Sequence, residues 1–152
     1  MKILFHLIVV FVFLLVKDGN AQFYKRKINS YNDKGQRTGL WFFYWDDENK
    51  VPMSRAFYKN GYESKVSKEY HQNGKMRLKF RYYKDKRLKV KFYNEGRVLE
   101  AKGWAIMEYN KKDTHFYYQG KWKYFDGKRK LVRTGWYEKG VEVASSENQN
   151  QT

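Results

Sequence analysis

Between Lys75 and Tyr93 apolar and basic residues alternate. Met76, Leu78, Phe80 and Tyr82 take one phase; Lys75, Arg77, Lys79 and Arg81 take the other. After a short break Leu88, Val90 and Phe92 resume the pattern, interleaved with Arg87, Lys89 and Lys91. A period of two marks a β-strand with one buried and one wetted face. Here the wet face is almost entirely cationic. Turn signals punctuate the rest of the chain: Asp33-Lys34-Gly35, Asn60-Gly61, Asn73-Gly74, Asp85-Lys86, Glu95-Gly96, Asp126-Gly127 and Lys139-Gly140. Asn-Gly and Asp-Gly suit type I′ hairpins, in which both central residues need positive φ. Gly61 to Gly74 and Gly127 to Gly140 are each 13 residues apart, a spacing that predicts short sequential hairpins with an internal repeat. The expected fold is all-β. No segment has helical periodicity, and Tyr62–Gln72, with turn signals at both ends, reads as strand.

The alternation also predicts a register. A three-residue loop Lys84-Asp85-Lys86 pairs Tyr82 with Leu88, Phe80 with Val90 and Leu78 with Phe92. A two-residue loop at Glu95-Gly96 then pairs Phe92 with Leu99, Val90 with Ala101 and Lys91 with Glu100. Every apolar side chain falls on one face, which specifies the register well. Arg81 then lies opposite Lys89 and Lys79 opposite Lys91, like-charge pairs that are mildly destabilising unless solvent or an anion relieves them.

Composition adds a charge argument. Lys and Arg total 32 against 16 acids, a formal net charge of +16 over 152 residues, which predicts solubility and attraction to polyanions. Aromatic residues make up 20% of the chain, and large flat side chains suit half-exposed strands. Without cysteine there is no disulfide framework, thiolate zinc site or thiol nucleophile. The length is that of one domain.

The N-terminus is a separate object. Lys2 precedes the apolar run Ile3–Val16, whose only polar member is His6. That run is shorter than the roughly 18–20 residues needed to cross a bilayer, and it leads to the small residues Gly19 and Ala21. Residues 1–21 therefore read as a signal peptide cleaved between Ala21 and Gln22. Export to the periplasm or the extracellular space is expected, without a lipid anchor, since no cysteine is present. The β-domain is expected over residues 22–143 and a disordered polar tail over 144–152.

Two stretches share a wording. Gly35–Tyr44, containing Gly39, Trp41 and Tyr44, and Gly120–Lys128, containing Trp122, Tyr124 and Gly127, resemble the Gly-x-Trp-x-x-Tyr core of MORN-type repeats. Tyr70–Arg77, with Asn73-Gly74 at its centre, resembles the Tyr-x-x-Asn-Gly-Lys turn of the bacterial MORN-like variant often labelled YwqK-family antitoxin. The resemblance covers about residues 28–143. It implies consecutive antiparallel hairpins in one elongated sheet, and a binding or scaffolding role with no reaction.

The sharpest candidate for function is the basic face, Lys75, Arg77, Lys79, Arg81, Arg87, Lys89 and Lys91, which can meet the phosphates or sulfates of an extended polyanion. The bland alternative is a solvated face whose lysines guard against edge pairing. Trp41-Phe42-Phe43-Tyr44-Trp45 and Phe116-Tyr117-Tyr118 can stack sugars or bases, or simply pack on one another. Asp46-Asp47-Glu48-Asn49 lacks the alternating ligands of a calcium loop and reads as a turn. His71 and His115 have no partner at metal-ligand spacing, and there is neither a nucleophile elbow nor a phosphate loop. No catalytic, cofactor or metal site is therefore expected. Two functions stand: an exported protein-interaction or scaffold module, which includes neutralising a toxin-like partner, and a binder of lipopolysaccharide, acidic glycan or anionic lipid at the membrane surface. Nucleic acid is not the expected partner in an exported compartment.

Overall fold

The period-two segments form strands, and each strand pairs antiparallel with the next. Ten of them make one open sheet in strict chain order. The computed structural model describes residues 27–110 and 113–148. The strands are β1 (Ser30–Tyr31), β2 (Arg37–Tyr44), β3 (Pro52–Lys59), β4 (Tyr62–Tyr70) and β5 (Met76–Tyr82). They continue as β6 (Arg87–Tyr93), β7 (Leu99–Tyr109), β8 (Thr114–Phe125), β9 (Leu131–Glu138) and β10 (Val141–Glu147). The described residues include no helix, in line with the all-β expectation. The signal segment, with Ala21 and Gln22, lies outside the described residues.

Two kinds of turn recur. Asn60-Gly61 (φ 52° and 83°) and Lys139-Gly140 (φ 47° and 86°) have both central residues left-handed, as type I′ requires. At Asn32, His71, Asn94 and Asp126 the loop is one residue longer. There the residue's N–H donates to the carbonyl four positions on, and its own carbonyl accepts from the N–H three positions on. In these loops the left-handed residue is Gly35, Gly74, Arg97 or Arg129. Gly96 and Gly127 are therefore not the special positions, which corrects the two-residue turns expected there. The cause is local: the Oδ1 atoms of Asn94 and Asp126 each accept two backbone N–H groups and close the wider loop.

The β5–β6 register is as expected, with Tyr82 opposite Leu88, Phe80 opposite Val90 and Leu78 opposite Phe92. The β6–β7 register differs. The longer loop Glu95-Gly96-Arg97 and a bulge between Phe92 and Tyr93 place Phe92 opposite Ala101 and Val90 opposite Gly103. Lys91 faces Lys102 rather than Glu100. The displacement is two residues, so every side chain keeps its face.

The tail is also corrected. Residues 144–147 continue β10 and pair with β9 from Ala144–Trp136 to Glu147–Arg133, and the Asn148 N–H donates to the Val132 carbonyl. The segment has no apolar period, which is why it reads as loose. Backbone bonds to β9 hold it instead, and the Asn148 side-chain amide donates to the Leu131 carbonyl. Residues 149–152 lie outside the described residues.

One face carries the core. Leu78, Leu88, Val90, Ala101, Ala105, Trp122 and Tyr137 are buried and pack together, with Phe80, Tyr82, Phe92, Tyr118 and Tyr124 around them. Strand β7 presents Ala101, Gly103 and Ala105 in alternation, and the Trp122 indole occupies the space above Gly103. The indole N–H donates to the Trp104 carbonyl at 2.7 Å, and the ring stacks on Tyr118 at 3.8 Å between centroids. The sheet curls around this cluster. Phe80 on β5 meets Phe116 on β8 at 5.8 Å, and Tyr62 on β4 meets Tyr109 on β7 at 4.8 Å, although β5 and β8, and β4 and β7, are not adjacent in the sheet.

The two Gly-x-Trp units have matching local geometry. Gly39 and Gly120 are left-handed (φ 75° and 69°), Trp41 and Trp122 are buried, and each indole stacks on the ring two residues on. Those rings are Phe43 and Tyr124. Tyr44 is thus not the counterpart of Tyr124: it lies on the other face and stacks on Phe42.

Candidate anion-binding face

Directly opposed residues on antiparallel neighbours share a face. Following one rung across the sheet gives Arg55, Lys68, Lys79, Lys91, Lys102 and Lys123 on β3 through β8, each the register partner of the next. Six cations therefore form an unbroken row at right angles to the strands. With a strand spacing of about 4.8 Å, five steps span about 24 Å. All six are half-buried, because each aliphatic stem lies along its neighbours while the charged head reaches water. Among the described residues none of the six has a carboxylate within ion-pair distance.

Row members and the next rung line two adjoining clefts. One, of about 350 Å³, is walled by Lys79, Arg81, Tyr83, Lys89, Lys91 and Lys102. The second, of about 220 Å³, shares Lys89 and Lys102 and adds Trp104, Lys121 and Lys123. Neither has an acidic wall residue. Trp104 sits among cations, with the Arg87 guanidinium 5.2 Å and the Lys89 ammonium 5.3 Å from its ring. The row also acts on one of its own members. Burial, reinforced by Arg55 and Lys79, pushes the Lys68 ammonium below its ordinary pKa. A row of like charges held this close disfavours its own charged state and favours an anion placed over it.

The seven cations singled out from the alternation divide into three groups. Lys79, Arg81, Lys89 and Lys91 converge on the larger cleft. Arg77 is bound to Glu69 and Arg87 to Asp85. Lys75 lies in the turn before β5, where its N–H is held by Asn73 Oδ1. Arg55, Lys68, Lys102 and Lys123 escape the alternation pattern, as do Tyr83 and Trp104. Their signal in sequence is faint: β3, β4, β7 and β8 carry only one or two cations each, and only the summed registers bring these four into line.

The Asp46 and His71 clusters are structural. Asp46 accepts from the Lys50 and Val51 N–H groups at 2.9 and 2.8 Å, and these bonds hold its carboxyl below the usual range. His71 bonds the Tyr93 carbonyl through Nε2 at 3.0 Å and joins two neighbouring turns. Comparisons with family models, curated proteins and solved structures return no match.

Proposed function

We propose that this chain is an exported, non-enzymatic repeat protein of MORN-like type that binds an anionic polymer of the cell envelope across its basic face. The carrying observation is the row of six half-buried cations without carboxylate partners. Regular cations on a sheet meet an extended polyanion at several points at once, and counterion release supplies affinity. The tyrosine and tryptophan walls of the two clefts add apolar contact for the sugar rings of an acidic glycan or the glucosamine of a lipopolysaccharide. The matching geometry at Gly39–Trp41 and Gly120–Trp122 supports the repeat reading.

The test is the double substitution Lys79→Gln and Lys91→Gln. Removing two adjacent charges relieves repulsion, so the urea midpoint is expected to stay or rise slightly. Retention on heparin should fall, and the slope of log affinity against log salt should shrink by roughly one unit per lost contact. A control with the same charge change, Lys128→Gln with Lys130→Gln in an exposed turn, should alter retention much less. Equal retention of wild type and the row variant would sink the reading.

A second reading, docking of one folded protein such as a toxin-like partner, is favoured by β10. This edge strand is exposed along its length, with Val141 and Val143 outward. A salt-resistant complex with a single protein would carry it. Export has its own check: the protein from its native host is expected to begin at Gln22 by N-terminal sequencing, and a chain beginning at Met1 contradicts it.

A further inference from the structure

We propose that the aromatic face holds a second binding site, for a neutral sugar ring, distinct from the basic face and independent of that reading. Strands β7 and β8 run 11 and 12 residues, against 7 in β6. Their hairpin overhangs β6, bonded at its departure by Met107 N–H to the Lys86 carbonyl. It bends over the concave face until Tyr109 meets Tyr62 and Phe116 meets Phe80. Between hairpin and sheet lies an open cleft of about 500 Å³, within the roughly 300–1,000 Å³ usual for small-molecule sites.

The wall chemistry selects the ligand. Tyr58, Tyr82, Tyr109, Phe80 and Phe116 supply ring faces, and one carboxylate, Glu63, stands among them. It is held by the Tyr58 hydroxyl at 3.2 Å and by the Tyr82 hydroxyl, and the latter also accepts from Ser67 Oγ at 3.4 Å. An ionised carboxylate has about four acceptor positions, so two remain for incoming hydroxyls. Arg37 lies at the same cleft with its guanidinium 5.5 Å from the Tyr58 ring and supplies donors. The other carboxylate of the wall, Glu69, is already paired with Arg77.

The wall carries two carboxylates, Glu63 and Glu69, against two cations, Arg37 and the row member Lys68, a balance that sets the cleft apart from a chain of net charge +16. An anion meets Glu63 and a cation meets Arg37, whereas a neutral ligand meets neither penalty. A pyranose ring offers apolar C–H faces to stack on the phenol and phenyl rings. Its edge of vicinal hydroxyls both donates to Glu63 and accepts from Arg37. A flat aromatic ligand matches the walls but offers no hydroxyls to the open acceptor positions of Glu63 or to Arg37.

The experiment titrates the protein with cellohexaose, chitohexaose and maltohexaose in about 0.5 M salt, where screening within roughly 3–10 Å silences the basic face. At least one is expected to bind, with saturation transfer by NMR reaching ring C–H protons. Tyr109→Ala, which removes an exposed ring, and Glu63→Gln should each weaken binding by about tenfold or more. Both should keep wild-type heparin retention, while the Lys79→Gln, Lys91→Gln variant keeps wild-type sugar binding. Absence of binding to all three sugars overturns the proposal, as does binding that survives both cleft substitutions. Binding of tetramethylammonium in place of sugar also overturns it, because the cleft would then be a cation cage.

Discussion

Replacing Trp122 with alanine is expected to destabilise the protein by about 3–5 kcal/mol. That corresponds to a fall in the thermal midpoint on the order of 10–20 °C. The indole is fully buried, and it is the largest side chain enclosed by the sheet. Its removal takes away the stack on Tyr118 at 3.8 Å and leaves the small surface of Ala101, Gly103 and Ala105 facing a void. It also leaves the Trp104 carbonyl without its indole donor. A complementary substitution probes the same packing from the other side. A Cβ at Gly103 would come within 2.2 Å of the Trp122 ring, closer than any real contact. Gly103→Ala should therefore displace the indole and cost about 1–3 kcal/mol or more through overpacking. Urea unfolding followed by tryptophan fluorescence measures both. A loss under about 1 kcal/mol in both variants would contradict the packing described for β7 and β8.

Raising the pH above 10 is expected to unfold the protein through its tyrosines. Partial burial, aided by the Glu63 charge, lifts the half-exposed Tyr109 to about 12, and fuller burial with the same charge holds Tyr82 far above the ordinary phenol value. Burial also raises Tyr58, Tyr93, Tyr118 and Tyr124. An unfolded tyrosine loses its proton near pH 10. Between pH 10 and the higher folded value the native state binds more protons than the unfolded state, so stability falls as pH rises. For Tyr82, the phenol raised furthest, the loss approaches about 1.4 kcal/mol per pH unit in that window. Lys68 acts in the opposite sense. Its folded pKa lies below the unfolded one, so its strain is relieved as pH climbs toward the unfolded value. One lysine is set against several phenols, and the net slope is downward. Urea midpoints at pH 9, 10 and 11 should fall progressively. Tyr82→Phe should start lower at pH 9 and fall less steeply. A midpoint that holds or rises through this range would contradict the enclosure of these rings.

Much of this architecture is legible in the order of residues along the chain. Strands declare themselves by alternation because neighbouring side chains point to opposite faces, a property of two or three residues at a time. The β5–β6 register follows for the same reason: a three-residue loop and two clean alternating strands leave one apolar face to align. Loop length is harder to read. Gly96 and Gly127 suggest tight turns, yet Arg97 and Arg129 take the left-handed position because the preceding Asn94 and Asp126 cap a wider loop. The error is one of two residues, so it leaves every face intact while changing every partner.

That change matters most at Lys91. With the tighter loop it meets Glu100 and the row ends in an ion pair; with the wider loop and the bulge between Phe92 and Tyr93 it meets Lys102 and the row continues to Lys123. Alternation along the chain therefore sets which side chains face the solvent and which face the core, and it makes one face cationic. Across strands it fixes the register only where, as between β5 and β6, the loop length is also legible. The row of six cations, the indole seated over Gly103 and the cleft under the β7–β8 hairpin depend on registers summed over several strands and on how far the sheet curls. These are set by long-range packing around Trp122, since the void above Gly103 and the ring that fills it lie on different strands and neither is evident without the other.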